Sequence, residues 1–165
     1  MVVTNDNTCT VMKDAIHTSF AYYWMGVALD IVAADTAKDW AYTMIEAMDV
    51  PPFTIIEVAT AYGRTNVLAA LGDAAQGADR TPAGRRLLLD IHQLATAGTL
   101  STFSAIRLAL KVVRLAELPQ ILYTTFDGLD DELMLASSGT WGDMDEIRSA
   151  LLRALELHGR LNEMA

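Results

Sequence analysis

The segment DGLDDELMLASSGTWGDMDEI, residues 127–147, gathers seven carboxylates and a tryptophan around two serines and three glycines. A cluster of this kind can hold Mg²⁺ or Ca²⁺, work as an acid/base pair, bind a basic partner, or cap helices. Asp127, Asp130 and Asp131 are close enough in sequence to converge on a hard cation, yet the detailed templates fail. The EF-hand spacing D-x-[DN]-x-[DN]-G with its distal Glu is missing, and a DDxxD helix motif needs an acid at 134, where Met134 stands. Capping explains more. Asp143 followed by Glu146 at the third helical position forms a capping box, and acids in a first turn meet the positive end of the helix dipole. Asp127 and Gly128 suit a turn before Leu129, which would place Asp130, Asp131 and Glu132 in the first turn of a short helix ending near Ser137. The expectation is two capped helix starts, with no metal and no cofactor.

Trp141, between Gly139 and Gly142, sits in a loop too short to own a core. Its ring either folds back as a plug over the helices or stays available to a partner; the plug is expected, because large aromatics usually bury most of their area. Together with Asp130, Asp131, Glu132 and Asp143, it makes up the candidate binding surface.

Catalytic signatures are sparse. The chain has no glycine-rich phosphate loop, dinucleotide fingerprint, HExxH or GxSxG. Of the three histidines, His17 follows Asp14 by one helical turn, a spacing that could orient an imidazole or chelate a metal, but the ExxH helices of a di-iron bundle are missing. An ordinary surface pair is the expected role. His92 falls on the edge of its helix between Leu88 and Ala95, as a partly buried structural residue. His158 lies near a helix end, where the dipole favours a positive charge. Asp14, His17 and His92 are the weak catalytic candidates. Cys9 has no adjacent base to lower its pKa and is expected to be an incidental thiol.

The elements that must position these groups read as helices throughout. Leu, Ala, Met and Glu are plentiful, and apolar residues recur at three and four rather than at two. The fold class is all-α, a bundle of about seven to eight helices. The first covers Met12 to about Ala33 with a stripe of Ile16, Phe20, Tyr23, Val27 and Ile31, and of Tyr22, Tyr23 and Trp24 it is Trp24 that should be the outlier. Asp35 or Thr36 caps a second helix whose Trp40, Ala41, Met44, Ile45 and Met48 face inward. Pro51 and Pro52 end it and open a third, Phe53 to Tyr62, with Gly63 as its left-handed stop. A short helix follows, about Asn66 to Ala75; Thr81 and Pro82 then start another that stops at Gly98. The next, about Thr102 to Leu118, is apolar except for Arg107, Lys111 and Arg114 at i, i+4 and i+7. That stripe is read as a solvated or locally ion-paired seam, with partner or anion binding as the alternative. The last helix runs from Met144 to about Asn162, with Ile147, Leu151, Ala154, Leu155 and Leu161 toward the core and Glu156 paired to Arg160.

Length and charge set the frame. One domain over residues 11–165, preceded by a flexible tail over 1–10, suits 165 residues, with the loop at 76–84 as the only plausible seam. A single cysteine excludes an internal disulfide and favours a reducing, cytoplasmic setting. The opening residues lack the pattern of a secretory signal, and the greasiest stretch, Phe20 to Ala34, is too short and is interrupted by Asp30. No membrane association is expected. A net charge of −9 argues against a nucleic-acid backbone as partner. The balance runs −7 over residues 1–79, +4 over 80–118 and −6 over 119–165.

These observations point to a non-enzymatic intracellular module that binds another protein of basic character, of the immunity or antitoxin type or a regulatory adaptor. Two other functions stay open. One is a small helical enzyme or ligand-binding protein with an inter-helix pocket and a histidine beside a carboxylate. The other is a self-assembling helical homodimer that hides the 52% hydrophobic content.

Overall fold

A computed structural model describes the backbone over residues 6–161 and side chains over residues 14–161. Among the described residues there are eight α-helices and no strand: α1 Asp6–Ala28, α2 Ala34–Ala47, α3 Phe53–Thr60, α4 Gly63–Ala74, α5 Thr81–Thr96, α6 Thr102–Leu115, α7 Gln120–Ser137 and α8 Met144–Arg160. The chain is all-α, as the 3.6-residue periodicity implied. Part of the expected tail, residues 1–5, lies outside the described residues; from Asp6 onward the backbone is helical, so α1 starts and ends earlier than the apolar stripe suggests. The side chain of Cys9 lies outside the described residues. The helices resolve into two compact units, residues 1–80 and 81–165, whose boundary falls within the 76–84 loop.

In the first unit α2 packs on α3, and α1, α2 and α3 each pack on α4. Phe20 and Tyr23 of α1 meet Trp40 of α2 at ring-centroid distances of 5.2 and 4.8 Å. Such pairs add about 0.5–1.5 kcal/mol to plain burial. Trp24 is the outlier of its triplet, less buried than Tyr22 and Tyr23. It lies against Gly72 of α4, where a Cβ would come within 3.2 Å of the indole nitrogen, and the Arg80 guanidinium sits 5.0 Å above its ring. The end of α1 is held from α4: Arg64 donates to the Val27 carbonyl at 2.7 Å and to Asp30 Oδ1 at 3.0 Å, while Asp30 takes a left-handed φ of 57°.

Trp40, Ala41, Met44, Ile45 and Met48 occupy the sheltered face of α2, and Asp39, Thr43 and Glu46 the exposed one. The expected side-chain cap is not there. The N-cap is Ala33, without a side-chain hydrogen bond, and Asp35 sits inside the first turn. Gly63 does take a positive φ of 78°, but it opens α4 instead of merely closing α3.

In the second unit each of α5–α8 packs on its neighbours in sequence, and α5 closes the ring against α8. Short connections between consecutive packed helices make an up-and-down four-helix arrangement. Its core holds Leu87, Leu88, Ile91, Ile106, Val112, Phe126, Leu151 and Leu155. Gly84 of α5 permits close approach, since a Cβ there would stand 2.3 Å from that of Ala116. Gly98 closes α5 with a φ of 76°, and Ser101 caps α6 by accepting from the Ser104 amide at 3.1 Å. Leu161, expected to face the core, lies beyond the end of α8 and is exposed.

Candidate functional site

α7 runs unbroken through Asp127 and Gly128, which overturns the expected turn and the expected helix start at Leu129. An interior glycine weakens a helix by about 1 kcal/mol. Leu122, Phe126, Leu129 and Leu133 are all buried along one face of the helix, and their packing offsets that cost. Asp130, Asp131 and Glu132 are therefore mid-helix residues, and first-turn capping does not explain them. Capping does explain the second half of the cluster. Asp143 accepts from the Asp145 amide at 2.7 Å and from the Glu146 amide at 3.2 Å, and Asp145 and Glu146 occupy the first turn of α8.

A continuous α7 divides the seven carboxylates. Asp127 and Asp130, one turn apart, face α6 and line a shallow hollow of about 250 Å³ with Arg107, Lys111, Arg114 and Tyr123. Arg107 Nη2 is 3.5 Å from Asp130 Oδ2, and its guanidinium lies 4.5 Å above the Phe103 ring. Arg114 stacks on Tyr123 at 4.5 Å and donates to its hydroxyl. Two of the three cations of the basic stripe thus find local partners, and all three are exposed, as a solvated and ion-paired seam requires. Asp131 is exposed and lies outside this hollow. Among the described residues, no three His, Cys, Asp or Glu side chains converge to a metal-binding group.

Glu132, Asp143, Asp145 and Glu146 instead surround a cleft of about 710 Å³ at the α7–α8 corner, with Trp141 on its wall and Arg153 on α8 as its one cation. Among the described residues, no cation comes within ion-pair reach of these four carboxylates. Trp141 is 69% exposed, which overturns the plug expectation. Gly142, at a φ of 104°, is the part of the loop that meets the helices, where a Cβ would be in ordinary contact with Ala136 and Ile147 at 3.4 and 3.8 Å. The neighbouring indole lies on the cleft wall instead.

On the other side of the same corner a second hollow, of about 510 Å³, is lined by Leu100, Phe103, Leu133, Met134 and Met144, with Arg148 at its edge. Sequence inspection missed it because its apolar side chains come from the α5–α6 turn, α6, α7 and the start of α8. The available signal was the pair of methionines, each directly following an acidic or apolar site residue on a helix end.

The histidines form no centre. Asp14 and His17 are exposed, and no hydrogen bond or ion pair joins them. His92 is half-buried on α5. His158 departs from expectation: burial, aided by the adjacent Arg85 guanidinium, pushes its pKa below the usual imidazole value, so the dipole does not hold it as a cation. Its Nδ1 is buried without a hydrogen-bond partner. Among the described residues no helix is long and apolar enough to cross a membrane. No family model, curated protein or solved structure matches the chain.

Proposed function

We propose that the protein is a non-enzymatic intracellular module that binds a basic protein partner at the α7–α8 corner. The observation that carries this reading is Trp141, 69% exposed beside a cleft walled by four carboxylates that have no cationic partner among the described residues. An exposed indole is a costly feature to leave in water, and tryptophan is enriched among the residues that dominate binding energy. Lysine and arginine side chains suit the site twice over. They pair with carboxylates and stack on an indole face, where a cation contributes about 0.5–1 kcal/mol at an exposed site. Clustered negative potential also speeds encounter with a basic partner and makes that encounter salt-sensitive.

The test is affinity capture from the cells that make the protein, comparing three versions of the full chain. These are the natural sequence, Trp141→Ala, and a neutral-cleft version with Glu132→Gln, Asp145→Asn and Glu146→Gln. Asp143 is kept because it caps α8. A basic protein retained only by the natural sequence and released by salt is the expected result. If all three versions retain the same proteins, the corner is not the binding surface and the reading is wrong.

A further inference from the structure

The apolar hollow between α6, α7 and α8 has one charged lining residue, the cation Arg148. We infer that it binds a small amphiphilic carboxylate, a free molecule whose apolar body fills the hollow and whose single anionic head meets Arg148 at the edge. This site is separate from the acidic cleft, since no residue lines both, and it stands or falls independently of the basic-partner reading.

The apolar walls come from four elements. Leu100 belongs to the α5–α6 turn, Phe103 to α6, Met134 to α7 and Met144 to α8, and buried Leu133 lies among them. Phe103, Met134 and Met144 are 43%, 53% and 47% exposed, so the hollow is open to a ligand from solvent. Its volume of about 510 Å³ falls within the roughly 300–1,000 Å³ of sites that take small molecules. A stable protein interface covers about 800 Å² on each partner, a much broader footprint than one such hollow offers. Methionine suits a socket of this kind, because its unbranched, polarisable side chain adapts to the shape presented.

The groups at the rim decide the head of the ligand. Two of the rim hydroxyls are already engaged: Ser101 accepts from the Ser104 amide at 3.1 Å, and Ser137 donates to the Met134 carbonyl at 2.9 Å. Arg148 is engaged only in part. Its Nη2 donates to the Ala95 carbonyl at 3.2 Å, which tethers the guanidinium at the hollow, and it has no carboxylate partner among the described residues. A guanidinium carries five N–H donors in a planar fork that matches a carboxylate. Thr102 and Phe103, the first two residues of α6, also line the hollow, and their amides belong to the positive end of the helix dipole. No Asp or Glu lines it. Positive charge and spare donors, with no acidic group beside them, select a head that accepts hydrogen bonds and is negative.

The alternatives use the site less fully. A cationic amphiphile would bring like charge to Arg148, and a neutral one would leave the guanidinium's spare donors to water. A carboxylate makes charge-assisted hydrogen bonds, which are roughly twice as strong as neutral ones.

The probe is decanoate below its micelle-forming concentration, with decanol and decyltrimethylammonium as neutral and cationic counterparts of the same chain. Binding to the full chain is followed by NMR of isotope-labelled methionine methyl groups, with Met134 and Met144 assigned by replacing each with leucine. Decanoate should shift these two methyls along one saturating curve, and the two counterparts should bind roughly 10-fold more weakly. Arg148→Met should weaken decanoate by a similar factor and leave decanol unchanged, a pattern that loss of the fold would not produce. The neutral-cleft version should bind decanoate as the natural sequence does. Equal binding of all three probes, or decanoate binding indifferent to Arg148→Met, would overturn the assignment of the anionic head. Shifts spread over every methionine without saturation would mean detergent action and overturn the site, as would no shift at all. A dimer seen by light scattering that Met134→Asp dissolves would also overturn it, by assigning the hollow to a second copy of the chain.

Discussion

Arg85, near the start of α5, donates to the main-chain carbonyl of His158 in the last turn of α8 at 2.7 Å. The opposite end of the same helix pair mirrors it, with Arg148 of α8 donating to the Ala95 carbonyl in the last turn of α5 at 3.2 Å. The last carbonyls of a helix have no partner within it and carry the negative end of the dipole, so a guanidinium satisfies both the hydrogen bond and the charge. Two such ties fix α5 and α8 antiparallel and in register.

Arg85→Met and Arg148→Met keep most of the aliphatic stem and remove the donors. Each should lower stability by about 1 kcal/mol, the usual net value of a hydrogen bond. The two arginines lie at opposite ends of helices roughly 15 Å apart, so the double variant should be additive within about 0.5 kcal/mol. Urea unfolding of the four proteins checks this; strong coupling would mean that the ties act as one unit.

The same contact makes His158 a source of acid sensitivity. Its pKa is lowered in the folded chain, by burial first and by Arg85 second, so the unfolded chain takes up the proton first as pH falls. The stabilisation is fully present above the ordinary imidazole value, about 6.5, and is lost as pH drops below it toward the folded value. His158→Gln should remove this component. Unfolding midpoints measured between about pH 7.5 and pH 5.5 should fall less steeply for the variant than for the natural sequence.

Glycine-to-alanine changes should split by position. At Gly84 a Cβ would stand 2.3 Å from the Cβ of Ala116, and at Gly159 it would stand 2.5 Å from Leu89 and 3.2 Å from the Arg85 carbonyl. Overpacking of this kind costs about 1–3 kcal/mol, more than the helix propensity gained. Gly128 has nothing within 4 Å and lies inside α7, so Gly128→Ala should stabilise by about 1 kcal/mol. Thermal midpoints would read out the opposite signs.

Asp143→Ala removes the side chain that accepts from two amides at the start of α8. The expected loss is about 1 kcal/mol, with Asp143→Asn retaining most of it because an amide oxygen still caps. Hydrogen exchange at the Asp145 and Glu146 amides should rise in the alanine variant and change little in the asparagine one.

Much of the architecture is legible in the sequence. The faces of α2, the starts of α5 and α8, the stop at Gly98 and the Glu156–Arg160 pair, 2.9 Å apart, all follow from local rules of spacing and capping. The start of α1 at Asp6 is not legible in the sequence, because its first turns are polar and carry little amphipathic signal. The Asp127–Gly128 pair looked like a turn because turn propensity is local, whereas the burial of Phe126, Leu129 and Leu133 is a property of the packed bundle.

The candidate site was legible only as an inventory. Residue order announced an excess of carboxylates beside a tryptophan and a capped helix at Asp143, since hydrogen bonds two or three residues apart need no tertiary partner. Which carboxylates share a wall, which face Arg107, and whether Trp141 is covered depended on how α6, α7 and α8 pack. Contacts such as Arg107 with Asp130 join residues far apart along the chain, and no periodicity within one helix encodes its rotation against another.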